Sequence, residues 1–296
     1  IRYIHDLAAA EGERGFLCKP YGGRYSNQTS GDQVQCVVVG LAAYRPIALP
    51  EDRTIIDTLI RSFADHQIET DYDALHGYFS YPPGTWNWSH KDWGDAIIYL
   101  PLLRLAWNSS GDVKYLSEMK RWYDHCGLDK RWPIPGDEPF RGSAAYRSMY
   151  LPALLMEFDP DNHELWRSLI LSTFRKCKTG IRDDGSSWYS WDYDPKSDTV
   201  SPRDPGWGGA PTCTGRSAIF AKACVETQRW FPKENMIAVA RKILEGLDEN
   251  NMRFVMAASK NQKLSPEWQV ESRMLDHDSL TGWLWAYWEG RWRGYW

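Results

Sequence analysis

The chain has 296 residues, of which 43% are hydrophobic, so it is long enough and apolar enough to bury a large core. Its net charge of -4 argues against a general nucleic-acid-binding protein, and no apolar run reaches the roughly 18 residues that predict a membrane-spanning helix. The unusual feature is the aromatic content, with 17 Trp and 16 Tyr. Such amphipathic rings suit surfaces that stack on sugar faces, although a single tryptophan more often packs between helices.

In the first half of the chain, apolar helices alternate with amphipathic ones. The periodicity predicts a first helix from Ile1 to Glu13, and then an apolar helix from Asp32 to Tyr44 with an amphipathic partner from Glu51 to Ile68. The next apolar helix begins near Asp92 and ends near Trp107. After the turn Asn108–Asp112, a second helix completes a hairpin.

The second half continues this alternation. The turn and N-cap signal Asp159–Asn162 separates an apolar helix from its partner, and a long insertion from 183 to 211 is predicted as a loop. The predicted apolar helices are 142–158, 214–230 and 279–289, and the predicted partners are 163–178 and 233–247.

The spacing of the apolar helices predicts a repeat. They begin near residues 32, 92, 142, 214 and 278, at intervals of about 50 to 70 residues. Each repeat would pair an inner, fully buried helix with an outer, amphipathic one. We therefore predict an all-α fold: a single (α/α) toroid domain over residues 1–296, with about five to six helical hairpins. The toroid would be incomplete, or closed by pairing of the two terminal helices; a linear solenoid is the alternative.

If the inner helices are parallel, their N-termini meet at one end of the barrel, which we call the predicted mouth. Acids, histidines, arginines and aromatic rings would converge there on a deep pocket. The acids can also be explained as helix caps, whereas an arginine at a helix start opposes the macrodipole and favours an anionic partner. The candidate catalytic residues are Asp95, Asp92, His90, Tyr146, His277 and Asp278. The candidate substrate-binding residues are Arg141, Arg216, Gln33, Trp88, Trp93, Trp188 and Trp191.

Neither a metal nor a cofactor is predicted. The acidic run Asp192-x-Asp194-x-x-x-Asp198 lacks the EF-hand spacing and is expected to be a solvated loop. Phosphate-binding loops and zinc-protease motifs do not occur in the sequence.

The cysteines and sequons bear on the compartment. Six cysteines without zinc spacing could be free thiols or could form disulfides. Sequons at Asn27, Asn87 and Asn108 favour a secreted glycoprotein.

One pair of segments resembles a known family. The helix opening Asp95-Ala-Ile-Ile-Tyr-Leu-Pro-Leu-Leu103, followed by Ser110-Gly-Asp-Val-Lys-Tyr-Leu116, is similar to six-hairpin glycosidases, above all the unsaturated glucuronyl and rhamnogalacturonyl hydrolases. Arg141-Gly142 resembles their Arg-Gly segment, although the full Arg-Gly-Asn-Gly-Trp motif is absent. The resemblance implies the (α/α) toroid and a general acid/base role for Asp95.

These observations predict a carbohydrate-active enzyme that cleaves a uronic-acid-containing oligo- or polysaccharide by glycoside hydrolysis. Asp95 would transfer the proton, with Asp92 or Asp278 holding water or charge. A polysaccharide lyase is the alternative: Tyr146 or His90 would abstract the C5 proton, His277 would assist, and an arginine would neutralise the carboxylate. A non-catalytic glycan-binding helical-repeat protein is the third possibility. No nucleic-acid or membrane partner is expected.

Overall fold

Helices make up most of the computed structural model. It describes residues 20–21, 24–25, 31–72, 93–127, 142–188, 191–194, 196–202, 212–248, 251–252 and 277–296. The helices in these ranges are α1 (Gly31–Tyr44), α2 (Pro50–Glu69), α3 (Trp93–Ser110), α4 (Val113–Cys126), α5 (Gly142–Phe158), α6 (His163–Thr179), α7 (Thr214–Thr227), α8 (Met236–Gly246) and α9 (His277–Trp292). The all-α class is therefore confirmed, and the toroid stays a prediction.

The predicted starts of the apolar helices agree closely with the structure. Helices α1, α3, α5, α7 and α9 begin at residues 31, 93, 142, 214 and 277. Two of them, α3 and α5, carry the same five-residue pattern, Tyr-Leu-Pro-x-Leu, at 99–103 and 150–154. The shared pattern supports a hairpin repeat.

The chain folds into two compact units. The first unit comprises residues 1–132 and 154–166, and the second comprises 133–153 and 167–296. The single-domain assignment stays a prediction. Among the described residues, no helix is both long enough and apolar enough to span a bilayer.

In the first unit, α3 is buried along its whole middle section, from Ala96 to Ala106. The aromatic rings of Tyr72, Tyr99 and Trp122 pack together with centroids 5.0 to 5.6 Å apart. Tyr72, three residues beyond the end of α2, is buried and belongs to this core. These contacts bury the apolar helix as the periodicity predicted.

The amphipathic helices α2 and α4 run parallel in the first unit. The Tyr115 hydroxyl donates to Asp65 at 2.8 Å. Six residues further along each segment, Arg121 pairs with Asp71 at 2.8 Å. The turn into α4 is made by Gly111, at φ +70°, and by the N-cap Asp112, whose carboxylate accepts the Lys114 amide at 3.0 Å. Two outer helices in parallel are the arrangement that successive hairpins produce.

In the second unit, the inner-type helices α7 and α9 are also parallel. A Cβ placed on Gly282 would lie 3.0 Å from Ala218, and further along Lys222 meets the ring of Trp285. Helix α8 packs against both, and the indole of Trp283 donates to the Leu244 carbonyl at 2.9 Å. Close packing at Gly282 requires a residue without a side chain.

The predicted loop from 183 to 211 contains short strands, and in this respect the sequence interpretation was incomplete. Strand β3 (Ser187–Trp188) pairs antiparallel with β6 (Thr212–Cys213), and β4 (Trp191–Asp194) pairs antiparallel with β5 (Thr199–Pro202). Strands β1 (Pro20–Tyr21) and β2 (Arg24–Tyr25) form another short pair. The insertion is therefore an ordered hairpin over at least residues 191–194 and 196–202.

Candidate functional site

Several residues of the predicted mouth lie where expected along the backbone. They occupy the first two turns of their helices: Gln33 in α1, Trp93 and Asp95 in α3, Tyr146 in α5, Arg216 in α7, and His277 and Asp278 in α9. His90, Asp92, Trp88 and Arg141 lie outside the described residues. These positions along the helices are shown, and the convergence of the side chains on one site stays a prediction.

Asp95 lies at the boundary between the core and solvent. It is the acidic residue in the first turn of α3, and its side chain is half-buried. The residues that follow it, from Ala96 to Ala106, are all buried.

Arg216 has the corresponding position in the second unit. It is the third residue of α7, and it is half-buried, between the buried residues Gly215 and Ser217. A guanidinium at a helix start is opposed by the macrodipole, so this position is suited to a carboxylate ligand or partner.

The two tryptophans of the insertion differ in environment. Trp188 is half-buried, and the guanidinium of Arg182 lies 4.6 Å from its ring centroid. Trp191 is 2% exposed and packs against Gly180, where a Cβ would lie 3.2 Å from the indole nitrogen. In this structure Trp191 therefore packs in the interior of its unit, while Trp188 keeps part of its surface exposed.

The acidic run after Trp191 is used for turn hydrogen bonds. Asp194 accepts from the Lys196 amide at 2.9 Å and from the Ser197 hydroxyl at 2.6 Å, and Asp198 accepts from Tyr193 at 2.8 Å. These contacts account for Asp194 and Asp198 as elements of the β4–β5 turn.

The sequence interpretation missed a buried polar cluster in the second unit. Glu226, near the end of α7, is 8% exposed, and a hydrogen bond joins its carboxyl to Tyr150. Its Oε2 atom is enclosed and has no hydrogen-bond partner among the described residues. Lys222, one turn earlier, lies between two rings, with its Nζ 4.7 Å from the centroid of Tyr150 and 3.8 Å from that of Trp285.

Burial dominates the electrostatics of this cluster. It raises the pKa of Glu226 from the ordinary 4.5 to about 8, and the nearby carboxylate of Glu289 raises it as well. Lys222, the Tyr150 hydroxyl and Arg293 act in the opposite direction without overcoming burial. Glu226 is therefore largely protonated at neutral pH.

A second buried carboxylate, in the first unit, is fully hydrogen-bonded. Asp159 accepts from the Tyr123 hydroxyl at 2.9 Å, from the Trp166 indole at 3.2 Å and from the Asn162 amide at 3.0 Å. Arg104 lies 3.8 Å away and also donates to the Phe158 carbonyl. The predicted turn is present here as a 3-10 helix over Pro160–Asn162, and the Asp159 side chain makes no capping bond to it but joins the ends of several helices.

Of the six cysteines, Cys177 and Cys224 are buried free thiols. Burial raises the pKa of both thiols, and in Cys177 the neighbouring Cys224 adds to the effect. A buried thiol with a raised pKa is a poor nucleophile, which argues against a catalytic role for either.

Comparison with known families does not identify the chain. Searches against protein-family models and against curated proteins both gave no match. The functional argument therefore rests on the residues and their geometry.

Proposed function

We propose that this protein is a carbohydrate-active enzyme that hydrolyses glycosidic bonds in uronic-acid-containing oligo- or polysaccharides. The observation that carries the proposal is the position of Asp95, half-buried in the first turn of a helix whose next residues are all core. A general acid needs a carboxyl group that reaches substrate and is also partly desolvated, so that its pKa rises towards the working pH.

The arginines supply recognition of the uronate carboxylate in this proposal. Arg216 is half-buried at the start of α7, where a guanidinium is best stabilised by an anion. Arg141, directly before α5, is assigned the same role. Helices α7 and α9 run parallel within the second unit, as the inner helices of the proposed barrel would.

The test is incubation of the protein with a panel of uronate-containing polysaccharides, with two readouts. Hydrolysis releases reducing ends without a new ultraviolet absorbance, whereas β-elimination creates an unsaturated uronate that absorbs in the ultraviolet. New reducing ends alone support the proposal. An unsaturated product would assign the lyase reaction instead, and binding without turnover would assign a glycan-binding protein.

Asp95→Asn tests the assigned proton donor. The amide keeps the shape of the carboxyl but cannot transfer the proton, so kcat should fall roughly 100-fold or more with little change in KM. Asp124→Asn, an exposed aspartate on α4, is the matched control and should retain wild-type turnover. Near-normal turnover in Asp95→Asn, with the fold intact by circular dichroism, would show that Asp95 only caps α3.

A further inference from the structure

One sequon of this chain lies where the structure describes its surroundings. It is Asn108-Ser109-Ser110, the last three residues of α3. The middle residue is not proline, so the triplet meets the sequence requirement for an N-linked oligosaccharide. The sequons at Asn27 and Asn87 lie outside the described residues. The fold can accept a glycan at this sequon only if the asparagine side chain reaches solvent.

Asn108 is exposed at the surface, although most of α3 is buried. Residues 96–106 of the helix are core, and exposure begins in its last turn, where Asn108 and Ser110 are both exposed. The turn that follows, over residues 111–114, is exposed as well. An N-linked glycan is bulky and hydrophilic and must project into water. The C-terminal end of α3 is the part of this helix that allows it.

The side-chain amide of Asn108 is not used by the fold. Two other asparagines in the described ranges do use theirs: Asn162 donates to Asp159 at 3.0 Å, and Asn251 donates to the Gly246 carbonyl at 2.7 Å. Neither of these asparagines begins a sequon. Within the described residues, no such hydrogen bond holds the Asn108 amide. A sugar can therefore be attached there without breaking a contact of the folded chain.

The last turn of α3 is held by the neighbours of Asn108. The hydroxyls of Ser109 and Ser110 both donate to the Ala106 carbonyl, at 2.9 and 2.7 Å. These bonds do not involve the asparagine side chain, so a change at position 108 leaves them in place. The end of the helix should therefore form equally well with a glycan, with a bare asparagine or with a glutamine at this position.

We propose that Asn108 is an N-glycosylation site when the chain passes through a eukaryotic secretory pathway. The sugar donor is an oligosaccharide linked to a lipid diphosphate. Nδ2 of Asn108 attacks the anomeric carbon of the first sugar, and the bond from that carbon to the diphosphate oxygen breaks. A C–N bond replaces the C–O bond, the amide loses one proton, and the lipid diphosphate leaves. The transfer involves no oxidation or reduction.

A glycan at Asn108 lies far from the proposed catalytic residue. On α3, Asn108 lies about 20 Å beyond Asp95 along the helix axis, at about 1.5 Å per residue. The attachment point is at the end of the helix opposite the predicted mouth, so the sugar leaves the mouth open. The inference does not depend on the proposed hydrolysis.

The test is secretion of the full chain, behind a cleavable leader, from yeast or mammalian cells. A peptide N-glycosidase converts each glycosylated asparagine to aspartate, and digestion in heavy-oxygen water marks the converted position for mass spectrometry. We expect the mark at Asn108. Ser110→Ala removes the hydroxyl that the sequon requires and should abolish the mark, whereas Ser110→Thr should retain it.

Ser109→Ala is the matched control. It removes a hydroxyl that donates to the same Ala106 carbonyl, but the middle position of the sequon accepts alanine, so the glycan should be kept in full. Asn235→Gln changes an exposed asparagine that begins no sequon and should leave the glycan pattern unchanged.

Three results would overturn the proposal. They are an unmarked Asn108, both in the secreted chain and in any chain retained in the cell, a mark that persists in Ser110→Ala, and a mark that Ser109→Ala abolishes. Asn108→Gln separates this proposal from the proposed function, because it should lose the glycan at this position and leave any hydrolysis of uronate unchanged. Absence of hydrolysis, in turn, would leave the mass measurement unaffected.

Discussion

The buried carboxyl of Glu226 makes the stability of the protein depend on pH. Its pKa is about 8 in the folded state and 4.5 when exposed, so the unfolded chain releases this proton first as the pH rises. The folded state therefore binds more protons between these two values. Its stability should fall as the pH rises from about 4.5 to about 8, and should change little from this group above that range.

The size of the effect follows from the two pKa values. Each pH unit between them changes the free energy of unfolding by about 1.4 kcal/mol, which amounts to about 5 kcal/mol over the whole range. Since a domain has a total stability of about 5 to 15 kcal/mol, a loss of this size is readily measured.

Glu226→Gln isolates this contribution. The glutamine has nearly the same volume, can still accept the Tyr150 hydrogen bond and carries no charge at any pH. Urea unfolding followed by circular dichroism, from pH 5 to pH 9, should show similar stability for the two proteins at pH 5. At pH 9 the variant should be more stable by several kcal/mol, up to about 5 kcal/mol. Glu164→Gln, an exposed carboxyl on α6, is the control and should keep the wild-type slope.

Parallel pH curves for the wild type and Glu226→Gln would refute the reasoning, because they would show that Glu226 does not titrate between its exposed and buried states in this range. A variant that is less stable than the wild type at pH 9 would refute it as well. That result would mean that the ionised carboxylate is stabilised in the fold by Lys222 and Arg293.

Two further predictions concern packing and buried charge, and urea unfolding measures both. Asp159→Ala removes the acceptor shared by four donors, and the free energy of unfolding should fall by about 3 to 5 kcal/mol. The donors are Tyr123, Asn162, Trp166 and Arg104. Asp161→Ala, at an exposed neighbour, is the control, and a fall below about 1 kcal/mol for Asp159→Ala would contradict the network. Gly282→Ala places a methyl group 3.0 Å from Ala218 and should destabilise by about 1 to 3 kcal/mol in spite of the better helix propensity of alanine. Gly40→Ala in α1, where a Cβ meets nothing within 4 Å, should instead stabilise the protein by about 1 kcal/mol. Equal effects of Gly282→Ala and Gly40→Ala would contradict the close approach of α7 and α9.

Hydrophobic periodicity was sufficient to place most of the described helices, because each apolar helix begins after a polar segment. It gave the starts of α3, α5, α7 and α9 to within one residue or so. It could not give the strands between 183 and 213, since two- to four-residue strands have too few residues to show a period.

The environment of individual tryptophans was beyond the reach of the sequence. Trp191 and Trp288 both stand in aromatic-rich segments, yet one is buried against Gly180 and the other is mostly exposed. The difference arises from which neighbours pack on each ring, and that is tertiary information. Aromatic composition alone therefore could not predict which rings are exposed.

The buried polar clusters, in contrast, left a signal in the sequence. A helix that is apolar on all sides has no solvent-facing position, so any charged residue in its middle must be buried with partners. In α3 that residue is Arg104, which donates to Phe158 and faces Asp159. In α7 the corresponding residues are Lys222 and Glu226, which are four residues apart. On a surface helix they would form an ordinary exposed ion pair that stabilises the helix by a few tenths of a kcal/mol. Because α7 is buried, the same spacing instead places a lysine between two rings and a carboxyl beside Tyr150, where its protonation is coupled to folding.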